Sequence, residues 1–426
     1  MSDQASSSRR DFIKTTGVAA AAVGLSSALS RTAYAGGNET LKVGLIGCGG
    51  RGTSAVKDAL MADSGAVLTA VGDAFADRMA TRIPYMKKNR KYGSRVLVDD
   101  DHIFTGFDAY KQVIDSDVDV VLLATPPHFR PAHLAYAIEK GKHVFCEKPV
   151  AVDAAGVRSV METCRLAKTK GLNVVSGLCY RYHEPKVELM KRVHDGAVGD
   201  IVALHTSYNT GELWSVQPKN SMSEMEIQMR NWLYYTWLSG DMITEQHIHS
   251  LDKMAWAMQD ETPVKVSSIG GRIKRTDAKY GNVYDHFCTV YEYASGVKCF
   301  STCRQQSGCT IDINDYVMGS KGTADVMAAK ISGPNAWEFE GKGTDMYLKE
   351  HQELFAAIRS GNPINNGDYM SKSTMMAIMA RESAYTGQDV TWEQALGSDV
   401  VLGPAKYAWG NVEMPTVAVP GKSALG

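Results

Sequence analysis

The stretch IGCGGRGTSA, residues 46–55, stands directly after the short apolar run LKVGL. It carries glycines at positions 47, 49 and 52, which is the spacing G-x-G-x-x-G. In such a turn Gly47 lets the chain leave a strand sharply, Gly49 lets the backbone approach a diphosphate, and Gly52 lets the next helix pack closely on the strand. The amides at the start of that helix then face an anion. The stretch predicts a dinucleotide-binding strand, turn and helix.

An acidic residue supports this interpretation. Asp73 ends the next predicted strand, 21 residues after Gly52. A carboxylate there accepts hydrogen bonds from ribose hydroxyls and repels a 2′-phosphate, so the pattern favours NAD over NADP. Gly50 and Arg51 complete the predicted cofactor turn, in which Arg51 either contacts phosphate or lies in solvent. The alternative is a glycine-rich turn beside a solvated aspartate.

The wider pattern predicts two domains. From residue 41 to about 176 short apolar strands, of which VDVVLLAT is the clearest, alternate with helices. That alternation is typical of an α/β, doubly wound parallel sheet, so residues 41–176 are predicted to form an NAD-binding Rossmann domain. Later runs such as IVALHTSY and HFCTVYEYA are strands separated by turns. Residues 177–426 are therefore predicted to form a substrate-binding and oligomerisation domain of α+β type with a large, mostly antiparallel open sheet.

Two motifs follow predicted strands of the first domain. In ATPPHFRPAHL, Thr125, Pro126 and His128 are expected near the cofactor, because ligands bind at the carboxyl ends of such strands. His128 is interpreted equally well as a surface loop histidine. In CEKPVA, Glu147 and Lys148 end the next strand. A lysine beside a cationic nicotinamide suits proton transfer or alkoxide stabilisation, whereas the alternative is a solvated loop.

A third motif, SGDMITEQHIHSLDKMAW, concentrates acids and histidines. If it is one helix, Glu245, His249 and Asp252 share a face, and a carboxylate one turn away makes His249 a candidate general base. The alternative is a buried histidine with satisfied hydrogen bonds. A metal site is not predicted, because the rings of His247 and His249 splay apart on a helix.

Taken together, the glycine turn, the EKP motif and the carboxylate-x-x-x-His-x-x-Asp segment resemble the Gfo/Idh/MocA family over nearly all of residues 41–400. The resemblance implies that Lys148 and His249 face the nicotinamide and the reacting carbinol of the substrate. Glu245 occupies the place usually held by aspartate, and His247 stands where the family usually has glycine. That second departure leaves the proton path open and puts a second imidazole near the pocket, where His247 is expected to contact the substrate.

The same resemblance places Arg181 of LCYRYHEP, and Trp232, where sugar-contacting residues lie. Their alternative role is packing. The uncovered face of an open sheet and the habit of the family imply a homodimer or homotetramer.

The first 35 residues resemble a twin-arginine export signal. Arg9 and Arg10 precede a mildly apolar run rich in Ala, Gly and Ser, which ends at a small-residue site at 33–35. The pattern predicts a periplasmic or otherwise exported protein that meets the twin-arginine export machinery already folded, with cofactor inside. The alternative is a basic, flexible N-terminus.

Composition excludes several classes of function. The formal net charge of −1 and the apolar fraction of 44% suit neither a nucleic-acid partner nor a disordered chain. No stretch is long and apolar enough for stable membrane insertion. The eight cysteines form no CxxC pair, which gives no support for a zinc ribbon.

The leading hypothesis is an NAD-dependent oxidoreductase that acts on a hydroxyl of a sugar, glycoside or cyclitol, with His249 taking the proton and Lys148 stabilising the alkoxide. Export implies tightly bound NAD, since free NAD is not expected outside the cytoplasm. One alternative is a redox-neutral, NAD-dependent glycosidase, which needs a further base such as His247 or Tyr180. The other is a non-catalytic sugar- or NAD-binding protein. The particular sugar stays open.

Overall fold

The computed structural model of the chain describes residues 40–424. The predicted export signal, residues 1–35, lies outside this range. Between residues 40 and 424 no helix combines the length and apolar character needed to cross a bilayer.

The first domain is a six-stranded, wholly parallel sheet in the order β3-β2-β1-β4-β5-β6 with helices on both faces. This order confirms the predicted doubly wound architecture. Its strands are β1 Leu41–Ile46, β2 Ala66–Asp73, β3 Ile103–Thr105, β4 Val120–Leu123, β5 His143–Cys146 and β6 Val174–Ser176. Its helices are α1 Gly50–Ala62, α2 Ala76–Lys87, α3 Ala109–Asp115, α4 Arg130–Glu139 and α5 Ala154–Thr169.

The turn between β1 and α1 requires glycine at two positions. Gly47 has a φ of +96°, and a Cβ there would lie 2.6 Å from the carbonyl carbon of Ala124. A Cβ on Gly52 would lie 1.9 Å from the oxygen of Gly47. No side chain fits at either place, so the close packing of helix on strand predicted from the sequence depends on these two residues.

The second domain has a nine-stranded sheet in the order β14-β13-β12-β11-β7-β10-β9-β8-β15. Only β7 and β10 pair in parallel, which confirms the mostly antiparallel prediction. The strands are β7 Ile201–Thr210, β8 Lys265–Gly271, β9 His286–Glu292, β10 Lys298–Gln305, β11 Asp312–Gly319, β12 Thr323–Asp325, β13 Lys330–Ser332, β14 Trp337–Glu338 and β15 Val390–Thr391. The helices are α6 Glu184–His194, α7 Glu224–Arg230, α8 Thr236–Ser239, α9 Met242–Glu245, α10 Ile248–Ala257, α11 Met346–Ser360, α12 Gly367–Thr386 and α13 Trp392–Gly397.

Two late helices connect the domains. Helix α11 packs on α1, and its Leu354, Phe355 and Ile358 are buried in the core of the first domain. Helix α12, which is buried on nearly every side, lies between β8 of the second sheet and α5 of the first domain. Part of the chain beyond residue 177 therefore completes the first domain.

Candidate active site

A cleft opens at the carboxyl ends of β1, β2 and β4, with a volume of about 510 Å³. Most residues of the predicted cofactor set line it: Gly47, Gly49, Gly50, Arg51, Gly52, Asp73, Thr125 and Pro126. A Cβ on Gly50 would meet no atom within 4 Å, so the turn leaves open space beside the first amides of α1. An open cradle at a helix N-terminus and a carboxylate further along the cleft fit a dinucleotide.

Asp73 lines this cleft at the end of β2. Its two side-chain oxygens accept hydrogen bonds from the backbone amides of Cys48, at 2.7 Å, and Phe75, at 2.9 Å. Burial raises the pKa of the Asp73 carboxyl, and the two amides and the nearby Arg78 oppose that shift. Arg78 and Arg82 line the same cleft. Sequence analysis missed both, although their spacing of one helical turn just after Asp73 was the available signal.

Lys148 and Glu245 meet across the domain boundary. Lys148 lies just after β5. Its Nζ atom donates hydrogen bonds to the Glu245 Oε1 atom at 3.1 Å and to the Glu245 carbonyl oxygen at 2.5 Å. The two side chains are 14% and 17% exposed, so the ion pair is partly screened from water while remaining reachable. A cation held this way can approach a substrate oxygen without leaving its counter-ion.

The helix predicted through Glu245, His249 and Asp252 is broken in the structure. Helix α9 ends at Glu245 and α10 begins at Ile248, because the amides of both Gln246 and His247 bond to the Met242 carbonyl. Glu245, His249 and Asp252 therefore do not lie on one face of a single helix. Asp252 instead accepts hydrogen bonds from Ser373 and an arginine, so the prediction of a carboxylate behind His249 is wrong for this residue.

His249 is a half-buried histidine at the start of α10. Its ring meets the ring of Tyr180 edge to face at 5.4 Å, and its Nδ1 atom has no hydrogen-bond partner among the described residues. Burial lowers the pKa of His249 well below 6.5, and the positive charges of Lys148 and Lys253 lower it further. A neutral imidazole next to a lysine ammonium has the protonation state that a general base requires.

Arg181, which the sequence predicted to contact substrate, forms ion pairs with two carboxylates in the structure. Its guanidinium donates to both oxygens of Asp252 and both oxygens of Asp260, between the rings of Trp256 and Tyr369. Burial opposes the charge, but the two carboxylates outweigh it and raise the pKa of Arg181. The residue is a structural ion pair, and its donors are occupied.

His247 is also a structural residue. It is fully buried, shares a hydrogen bond of 2.6 Å with Ser301 on β10, and packs against Tyr208. Burial and the charge of Lys253 lower the pKa of His247 to about 3. The His247 ring is closed off from solvent in the structure, and its contact with substrate stays a prediction.

His128 points away from the cofactor cleft. Its Nε2 atom shares a hydrogen bond of 2.6 Å with the Tyr407 hydroxyl, and its ring packs on Phe129 and Trp237. Burial lowers the pKa of His128 to about 4. The residue anchors the C-terminal segment, residues 398–416, and does not line the cleft, so its contact with the cofactor stays a prediction. The neighbouring Phe129 and His133 line the cleft instead.

Trp232 lines the cleft from the second domain, together with Trp214 and Met229. Trp214 was missed because the loop around it carries no motif. Glu147, in contrast, is buried beneath the cleft and forms an ion pair with Arg51, so neither charged group is free for a phosphate. Within residues 40–424 no three His, Cys, Asp or Glu side chains are grouped to hold a metal ion.

The chain is similar to known proteins over most of its length. It is 28% identical over 323 residues to inositol 2-dehydrogenase 3 of Saccharopolyspora erythraea, covering 75% of this chain and 82% of that one. It is also 28% identical over 179 residues to the 2,7-anhydro-N-acetylneuraminate hydratase of Escherichia coli, a match that spans 42% of this chain and 44% of that relative. The aldose-aldose oxidoreductase from Caulobacter crescentus complexed with glycerol has the same fold, with a TM-score of 0.64 at 21% identity over 83% of this chain and all of that one.

Three family models match. Residues 6–26 match the signal sequence of the twin-arginine translocation pathway. Residues 41–177 match the GFO_IDH_MocA model, described as an oxidoreductase family with an NAD-binding Rossmann fold, and residues 187–325 match the GFO/IDH/MocA C-terminal domain. The predicted resemblance is thereby confirmed, and the chain belongs to the Gfo/Idh/MocA family of oxidoreductases.

Proposed function

We propose that the protein oxidises or reduces a ring hydroxyl carbon of a sugar, glycoside or cyclitol with NAD. The observation that carries this proposal is the Lys148–Glu245 ion pair formed where the two domains face each other, near enough to His249 for the charge of Lys148 to lower the pKa of its ring. The inositol 2-dehydrogenase relative supports the substrate class, because a cyclitol hydroxyl and a sugar hydroxyl present the same chemistry.

His249 and Lys148 divide the work on the hydroxyl group. The neutral His249 accepts the hydroxyl proton, and the Lys148 ammonium donates a hydrogen bond to the oxygen as negative charge develops. Glu245 holds the ammonium in place through the 3.1 Å ion pair. The bound nicotinamide supplies the hydride acceptor.

NAD rather than NADP is the proposed cofactor, because a carboxylate that lines the cleft at the end of β2 accepts hydrogen bonds from ribose hydroxyls and repels a 2′-phosphate. We expect Asp73→Ser to raise the Kd for NAD roughly 10- to 100-fold, because a charge-assisted hydrogen bond is lost. The Kd for NADP should change much less. Titration of cofactor fluorescence measures both constants. Asp115→Asn, at an exposed site on α3, is the control. Equal weakening of both cofactors would contradict the assignment.

Tight binding of NAD is proposed from the packing of the C-terminal segment on two phenylalanines that line the cleft. Trp409 of the C-terminal segment packs on Phe107 at 4.7 Å and on Phe75 at 5.1 Å, and both phenylalanines line the cleft. An enclosed cofactor suits a protein with a twin-arginine signal, for which we propose export to the periplasm or beyond. Its redox cycle then closes on the enzyme, with a second substrate regenerating the cofactor.

We expect Trp409→Ala to speed the loss of bound NAD about 3- to 10-fold, as the removal of aromatic contacts implies. The measurement is NAD per chain against time in dialysis without free cofactor. Val401→Ala, at an exposed site in the same segment, should retain the cofactor as the unsubstituted protein does. Unchanged retention in Trp409→Ala would remove this support for enclosure.

A homodimer or homotetramer is proposed from the outer face of the second sheet. Ile269, Cys288 and Phe300 are exposed on adjacent strands β8, β9 and β10. We expect sedimentation to give a mass of two or four chains, and Phe300→Glu to lower it by placing charge in an apolar contact. A single-chain mass for the unsubstituted protein would contradict this.

The alternatives are not favoured. A redox-neutral glycosidase needs another base, but His247 is sealed in the core, and burial raises the pKa of Tyr180. A non-catalytic binding protein would have no need for the Lys148–Glu245 pair beside a neutral His249.

A further inference from the structure

Arg51 joins the cofactor turn to the turn that carries Lys148. It is the second residue of α1 and lines the cleft, yet its Nε atom forms an ion pair with the Oε1 atom of Glu147, directly before Lys148. Its Nη2 atom donates to the Glu350 Oε1 atom at 3.1 Å. The ring of Tyr347 packs 4.7 Å from the guanidinium carbon. Arg51 therefore stands at the predicted phosphate-binding turn, but its guanidinium is bound to the carboxyl groups of Glu147 and Glu350.

Glu147 has little freedom to move. The carboxylate is buried, and its second oxygen accepts from the Lys148 backbone amide at 3.3 Å. A Cβ on Gly177 would lie 2.7 Å from the same oxygen, which shows how closely the chain covers it. Holding Glu147 therefore holds the backbone from which the Lys148 side chain reaches Glu245.

Glu350 reaches this cluster from α11, in the C-terminal part of the chain. It is fully buried, and its Oε2 atom has no hydrogen-bond partner within residues 40–424. Burial and the adjacent Glu147 carboxylate raise the pKa of Glu350 well above its usual range. The contact of Glu350 with Arg51 is a hydrogen bond that holds the guanidinium in place, while the charge of Arg51 also faces the carboxylates of Glu147 and Asp58.

We propose that Arg51 and Glu350 are positioning residues for Lys148, with Glu350 anchoring Arg51 and Arg51 fixing Glu147 and the turn that follows. This rests on the proposed function, in which Lys148 acts on the substrate oxygen. The clamp makes the C-terminal helix α11 part of the catalytic geometry, although it touches neither Lys148 nor the reacting atoms.

The test compares Glu350→Ala, Glu350→Gln and Arg51→Lys in the mature protein with NAD and an oxidisable polyol. We expect Glu350→Ala and Arg51→Lys to lower kcat about 10- to 100-fold with KM and the Kd for NAD changed less than about threefold, since the ground-state contacts stay. Glu350→Gln, which keeps the shape and the hydrogen bond of the neutral acid, should restore most of the kcat that Glu350→Ala loses. Glu353→Ala, at a half-exposed position on the same helix, is the matched control.

Two outcomes overturn the clamp. One is a kcat near that of the unsubstituted protein in both Arg51→Lys and Glu350→Ala. The other is a loss in Glu350→Gln as large as in Glu350→Ala, which would mean that charge rather than position matters. If Glu350→Ala fails to fold, Arg51→Lys and Glu350→Gln decide the matter alone. Full turnover in Lys148→Ala would instead overturn the proposed function itself, so the two failures are distinguishable.

Discussion

Lys148→Ala is expected to lower kcat about 10²- to 10³-fold, the effect of removing one donor from a developing oxyanion. The Kd for NAD should change little, because the glycine turn and Asp73 are untouched. The truncation also leaves the partly buried Glu245 without its cation, which adds to the loss. Steady-state turnover with a saturating polyol gives kcat, and cofactor titration gives the Kd.

Lys140→Ala is the control for this experiment, since Lys140 is exposed on the same domain, where it forms an ion pair with Asp115 at 2.9 Å and lies over the Tyr136 ring. It should behave like the unsubstituted protein. Turnover unaffected by Lys148→Ala would contradict the role assigned to the ammonium, and so would a loss explained entirely by weaker NAD binding.

His249→Gln is expected to lower kcat/KM about 10²- to 10⁴-fold, the usual contribution of a positioned general base. The pH dependence gives a sharper test. Because the pKa of His249 is held well below 6.5, the imidazole stays neutral as the pH falls from about 8 to about 6.5. In the unsubstituted enzyme kcat/KM should therefore be flat over that interval and fall only as the pH drops through the depressed pKa.

A matched control for His249 is His194→Gln, an exposed histidine on α6 whose ring contacts only the Trp256 carbonyl, at 2.8 Å, among the described residues. It should change neither the rate nor its pH dependence. An acid limb centred near 6.5 in the unsubstituted enzyme would mean that the base is a solvated histidine or another group, and it would contradict the assignment of His249.

The sequence predicted the parts of the site that local geometry determines. The glycines of residues 47–52 are needed by one turn. Asp73 is predicted because it ends the next strand of the same unit. The alternation of apolar strands and helices dictates a parallel sheet, and Lys148 lies at its carboxyl edge, just after β5. Each of these features depends on residues that lie within a few tens of positions in the sequence, so a sequence motif can reveal it.

The sequence predicted the structure less well where contacts between residues far apart in the chain determine it. Periodicity fits Glu245 to Asp252 as one helix, but the break between α9 and α10 accompanies a buried Asp241 that accepts from Tyr284 and Tyr385. Arg181 looks the same in a sequence whether it meets a sugar or Asp260. His128 depends on a tyrosine 279 residues away. No sequence motif indicates that Glu350 of α11 reaches Arg51 and, through it, the turn that carries Lys148.

The central claim is transfer of hydride between a polyol carbon and NAD on this protein. The most direct measurement uses the purified mature protein, NAD and a panel of sugars and myo-inositol deuterated on their ring carbons. After denaturation, mass spectrometry reads the cofactor. The account predicts that at least one polyol adds a single deuterium to the nicotinamide and that Lys148→Ala and His249→Gln abolish this labelling. A cofactor that binds but stays unlabelled with every polyol would contradict it.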